Sequence, residues 1–74
     1  MSYLLHLSNE LMTTPLETLE EMYNECMRRS ESGDLDETTK YGKIIGILEQ
    51  VAEKRFCTIE HVGGQYRIFR AKSH

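Results

Sequence analysis

Residues 56–70, FCTIEHVGGQYRIFR, hold two runs rich in aromatic and β-branched residues on either side of a Gly63-Gly64 pair. Such runs read as strands, and a glycine pair supplies the positive φ angles that a tight hairpin turn demands. The stretch is therefore expected to form a β-hairpin, with strands at 56–61 and 65–70 joined through Val62-Gly63-Gly64. A two-residue loop sets Ile59 opposite Ile68 and Glu60 opposite Arg67; a four-residue loop shifts the register by two and keeps the same faces. In either case Cys57, Ile59, Tyr66 and Ile68 share one side, and Phe56, Thr58, Arg67 and Phe69 share the other. An isolated hairpin is marginal in water, so the aliphatic side must pack on other elements. Phe56 and Phe69 then need a different cover, from the N-terminal segment, a partner chain or a ligand.

Upstream, residues 36–55 read as a helix whose Tyr41, Ile44, Ile45, Ile47, Leu48, Val51 and Ala52 gather on one broad side. Its remaining surface divides in two: Gly42, Gly46, Glu49 and Glu53 lie together, as do Lys40, Lys43, Gln50 and Lys54. Before it, Ser32-Gly33 ends an earlier helix, with Gly33 suited to the left-handed residue past a C-terminus and Asp34 or Asp36 capping the next helix. That earlier helix, residues 15–31, opens on Thr14-Pro15-Leu16-Glu17. This reads as a threonine cap, a proline at the first helical position and a glutamate closing a capping box. Leu16, Leu19, Met22, Tyr23, Cys26 and Met27 form its apolar face, while Glu17, Glu20, Glu21 and Glu25 fill the rest and Arg28-Arg29 suit the dipole at its end. The short connection forces the two helices antiparallel, with Leu16, Leu19, Tyr23 and Cys26 meeting the stripe of the second.

Residues 2–12 are ambiguous, because Leu4, Leu7 and Leu11 keep helical spacing while Tyr3, Leu5 and Leu7 alternate as a strand would. Composition at Glu10-Leu11-Met12 favours a helix. The expected fold class is α+β: one domain over residues 1–74, in which an antiparallel helical hairpin with a short N-terminal helix packs against a C-terminal β-hairpin.

Composition narrows the function classes. At 74 residues, 39% hydrophobic and 28% charged, the chain buries too little surface to hold a deep pocket, so binding through a surface is the default. No run approaches the ~20 apolar residues of a membrane helix, and the start lacks the features of an export signal, so a cytoplasmic location is expected. Cys26 and Cys57 are too few for a disulfide scaffold and are expected as reduced, packed thiols. The net charge of −3 hides an asymmetry: residues 1–37 carry −7 and residues 38–74 carry +4. Folding of one half against the other accounts for this, as would a charged landing face for a partner.

Motifs for catalysis and metal binding are missing from the sequence. His6, His61 and His74 are far apart, no glycine-rich segment precedes a helix, and neither Cys-x-x-Cys nor His-Glu-x-x-His occurs. Cys57 and His61 have a four-residue step, which on a strand spans about 13 Å and cannot close on one ion. Asp34-Leu35-Asp36-Glu37 lacks a calcium loop's length and glycine, so helix capping explains it. No enzyme activity, cofactor, metal or small-molecule substrate is expected.

Two surfaces remain. Gly42 and Gly46 each cost up to about 1 kcal/mol against alanine inside a helix and project away from the apolar stripe, making a flat strip rimmed by Glu49 and Glu53. Residues 54–74 mix Lys54, Arg55, Arg67, Arg70 and Lys72 with Phe56, Tyr66 and Phe69 against a lone Glu60. The leading expectation is a small non-enzymatic module that binds another protein through Gly42, Gly46, Glu49, Glu53, Phe56, Arg67 and Phe69. Its output would be regulation or inhibition of that protein, as for a phage- or plasmid-type accessory product. A homodimer is the simplest cover for the leftover apolar area. The alternative is nucleic-acid binding, with Lys54, Arg67, Arg70 and Lys72 on phosphates and Phe69 stacking a base. A winged-helix version fails on its recognition helix, whose outer side would carry Gly42, Gly46, Glu49 and Glu53.

Overall fold

The computed structural model describes residues 2–71. Three helices precede a hairpin: α1 (Ser2–Leu11), α2 (Leu16–Ser30), α3 (Leu35–Lys54), β1 (Cys57–Val62) and β2 (Gln65–Arg70). The α+β arrangement expected from sequence is present, with a helix and not a strand at the N-terminus. The molecule measures 42 × 34 × 17 Å. Its shortest dimension is that of one helical layer on one sheet, which leaves no interior for an enclosed ligand.

The core lies between those layers. Leu11 of α1, Leu19, Tyr23 and Cys26 of α2, Ile44, Leu48, Val51 and Ala52 of α3, and Cys57 and Ile68 of the hairpin are buried together. Leu16, Met22, Tyr41, Ile45, Ile47, Ile59 and Tyr66 pack around them, half-buried. Because every buried residue belongs to a stripe at helical spacing or to one side of the strands, the sequence periodicity alone sets which faces close. Cys26 and Cys57 are both free and buried.

The turns follow their glycines with one exception. Gly63 and Gly64 both take positive φ, 58° and 82°, which makes the two-residue loop the correct choice and sets Ile59 opposite Ile68 and Glu60 opposite Arg67. Gly33 has φ 93° past the end of α2, and Asp34 caps α3 by accepting hydrogen bonds from the amides of Asp36 at 2.9 Å and Glu37 at 3.3 Å. Asp36 thus lies inside α3 and is not its cap. The exception is Phe56, where α3 turns into β1 with φ 59° in place of the usual glycine.

The start of α2 corrects the expected capping box. Pro15 is the N-cap residue and makes no side-chain cap. The Thr14 hydroxyl donates instead to the carbonyl of Glu10 at 2.9 Å, and Thr13 does the same at 3.2 Å. The reason is the preceding helix: α1 ends at Leu11 with carbonyls in need of donors, and hydroxyls three and four residues on are within reach. Arg55 completes that end by donating to the carbonyls of Leu11 at 2.9 Å and Thr14 at 2.5 Å, tying α1 to the end of α3.

Candidate functional site

A two-stranded sheet has two edges, and the protein treats them differently. The pairs flanking a two-residue turn exchange hydrogen bonds, so Val62–Gln65, Glu60–Arg67 and Thr58–Phe69 hold the ladder while the backbone groups of His61–Tyr66 and Ile59–Ile68 point outward. A bond from the Ala71 amide to the Phe56 carbonyl at 2.7 Å keeps this alternation at the open end. On the β2 edge, α2 supplies the partners. Asn24 donates to the Tyr66 carbonyl at 2.9 Å and accepts from its amide at 2.8 Å, and Glu20 accepts from the Ile68 amide at 2.9 Å. Neither residue belongs to the apolar stripe of α2, and sequence reading placed Glu20 on the solvated face. Their role depends on which strand edge comes to lie beside the helix.

The same helix anchors the sheet's inner face. Tyr23 meets Tyr66 edge-on with ring centroids 5.0 Å apart, and Tyr66 stacks on His61 at 4.6 Å. The Tyr23 hydroxyl donates to Glu49 at 2.9 Å. Burial, followed by that bond to a carboxylate, holds the Tyr23 phenol well above its ordinary pKa. Glu49, expected at the rim of the glycine strip, is thereby committed to the fold. Burial likewise pushes the Cys26 thiol up, the nearby Glu25 charge adding to it.

Among the described residues none covers the outer face of the hairpin. Thr58, Glu60, Val62, Gln65, Arg67 and Phe69 alternate onto it, and all are exposed. Phe69 is 42% exposed, Val62 49% and Phe56, at the start of β1, 79%. Phe69 sits at the open end of the face, Phe56 precedes β1 at that same end of the sheet, and Val62 stands at the other end beside the turn. Between them Glu60 opposes Arg67, whose guanidinium also approaches Glu20 at 3.9 Å.

The other predicted site residues are placed less favourably for a common surface. Gly42 is exposed and Gly46 half-buried, and a Cβ on either would meet nothing within 4 Å. Glu53 is exposed, and its carbonyl accepts from the Phe56 amide at 3.0 Å. Lys54 closes α3. Arg67 and Arg70 fall on opposite sides of β2, because three residues separate them on a strand with a period of two. Lys72 lies outside the described residues. The basic aromatic composition of the C-terminal third is thus spread over two sides of the sheet.

Open grooves run where α2 meets the turn end of the sheet, lined among others by Glu20, Glu21, Glu31, Asn24, Arg28 and Gln65. Glu25 on their margin pairs with Arg28 and Arg29, and the Arg29 hydrogen bond holds its carboxyl below the usual range. Among the described residues no group of three or more His, Cys, Asp or Glu side chains could hold a metal ion, and no helix is long and apolar enough to cross a membrane. Compared with family models, curated proteins and solved structures, the chain matches none of them.

Proposed function

We propose that the protein is a non-enzymatic binding module that docks another protein on the outer face of its hairpin, through Phe56, Arg67 and Phe69 with Val62, and regulates or inhibits that partner. The observation that carries the reading is Phe56. A bulky side chain in the left-handed region costs about 1–2 kcal/mol, and glycine commonly holds this place after a helix. Phe56 recovers little of that cost by packing, since 79% of it is exposed. A residue that strains the backbone without filling the core is retained most simply for what it contacts outside the chain. Phe69, exposed at the same end of the sheet, adds apolar area there, and the Glu60–Arg67 pair gives it a polar border of the kind that surrounds binding hot spots.

Gly42 and Gly46 offer a second, flatter strip along α3, rimmed by Glu53 and by Glu49, which also bonds to Tyr23. The nucleic-acid reading has weaker support, because Arg67 is flanked by Glu20 and Glu60 and Arg70 lies on the other side of β2.

The test is an affinity capture from the native host with the wild type and with Phe56→Ser/Phe69→Ser, helicity being checked by circular dichroism. A protein retained by the wild type and lost with the double variant supports the reading. Equal retention by both removes the outer face as the site. Fluorescence anisotropy with random duplex and single-stranded oligonucleotides runs beside it. Salt-sensitive binding lost in Arg67→Glu/Arg70→Glu would replace the protein-docking reading with nucleic-acid binding.

A further inference from the structure

We propose that two copies of the chain associate edge to edge along β1, antiparallel about a two-fold axis at Ile59, to build a four-stranded sheet. The pairing uses the strand's edge and leaves its outer face open, so it does not rest on the partner-binding reading.

The first ground is the asymmetry between the two edges. Asn24 and Glu20 satisfy the outward backbone groups of Tyr66 and Ile68 on β2. Among the described residues no group bonds to the corresponding amides and carbonyls of Ile59 and His61 on β1. The edge of β1 is six residues long and lacks the devices that block strand addition: it has no proline, no lysine and no bulge. The helix α1 packs on α3.

The second ground is self-complementarity, which selects a second copy over other strands and fixes the register. Outward groups occur at Cys57, Ile59 and His61, so an axis at Ile59 aligns all of them and forms about six backbone hydrogen bonds. It sets Thr58 of each copy opposite Glu60 of the other and pairs β1 along its length from Cys57 to His61. An axis at Glu60 would oppose two glutamates directly, and an axis at Thr58 would pair only the first half of the strand. Both alternatives lose to Ile59 on charge or on length.

The test is sedimentation equilibrium of the full chain over a wide concentration range, with amide hydrogen exchange of Ile59 as a local readout. The wild type is expected to dimerise with the Ile59 amide protected in the dimer. Thr58→Glu opposes the introduced carboxylate to Glu60 twice per dimer and is expected to weaken association about tenfold, more at low salt. Thr58→Lys is expected to match or exceed the wild type. Position 58 is exposed in the single chain, so neither change should alter its folding. His61→Pro removes an outward amide from the edge and is expected to leave a monomer. A wild type that stays monomeric overturns the proposal, as does a dimer in which Ile59 exchanges freely or in which Thr58→Glu and Thr58→Lys associate equally. Protection of Ile59 only on adding an extended peptide would assign the edge to a different occupant and overturn it as well.

Discussion

Replacing Phe56 by glycine tests the idea that this residue is kept for contact and not for stability. The backbone there has φ 59°, where a side chain costs about 1–2 kcal/mol and glycine nearly nothing. Against that relief stands the packing forfeited. A fully buried phenylalanine is worth up to about 3 kcal/mol, and this one is 79% exposed, so its loss costs roughly 0.6 kcal/mol on that scale. The amide bond to Glu53 and the carbonyl bond from Ala71 are backbone groups that glycine keeps. The net expectation is a stabilisation of about 0.4–1.4 kcal/mol, seen as a rise of several degrees in Tm for a domain of this size. Urea unfolding followed at 222 nm measures it directly. Because a dimer would add concentration-dependent stability, the comparison belongs at low protein concentration. A loss of 1 kcal/mol or more would refute the reasoning, since Phe56 would then support the fold through contacts that its exposure does not reveal.

Other outcomes follow from the same geometry. Asn24→Ala removes both hydrogen bonds to Tyr66 and should cost about 2 kcal/mol in urea unfolding; a cost no greater than that of an exposed surface change would mean that the β2 edge is held without it. Gly42→Ala and Gly46→Ala should each add up to about 1 kcal/mol, since both lie inside α3 with open space at the Cβ position. A loss of stability in either would show a contact that a Cβ disturbs. Tyr23 keeps its proton more tightly when folded than when unfolded, so its contribution is fully present below pH 10 and is lost as pH rises above it. Stability curves should therefore fall above pH 10 in the wild type and fall less in Tyr23→Phe; identical curves would exclude this coupling. Cys26, buried and with its thiol pushed up, should react with a thiol reagent at pH 8 far more slowly in the native state than in urea, and equal rates would contradict the packing.

Much of the molecule is legible in its periodicities. The Leu19–Tyr23–Cys26 and Ile44–Leu48–Val51 spacings announce two helices that face each other, and Gly63-Gly64 announces the hairpin. The exposure of Phe69 also follows from strand alternation, once the aliphatic side is assigned to the core, whereas Phe56 lies before β1 in a left-handed turn that alternation does not describe. The cap of α2 departs from the pattern Thr14-Pro15-Leu16-Glu17 because that pattern describes the start of one helix without regard to the end of the one before it. In the fold, the Thr14 hydroxyl donates to the carbonyl of Glu10 at the end of α1 and caps nothing in α2. Glu49 is exposed, as its angle on α3 predicts, and it also accepts from Tyr23 of the neighbouring helix, a bond that the spacing within α3 does not announce.

By itself, then, the sequence determined the element types, the turn chemistry and the faces that become buried, because helix and strand periods act over a few residues and the glycines mark positions that few other residues tolerate. Tertiary structure decided which polar groups meet. Only the docking of α2 beside β2 brings Asn24 and Glu20 to one edge of the sheet and leaves the outward backbone groups of Ile59 and His61 on the other without a partner among the described residues. Hydrogen bonds between residues forty positions apart depend on distances of a few tenths of an ångström, and no local pattern in the chain encodes them.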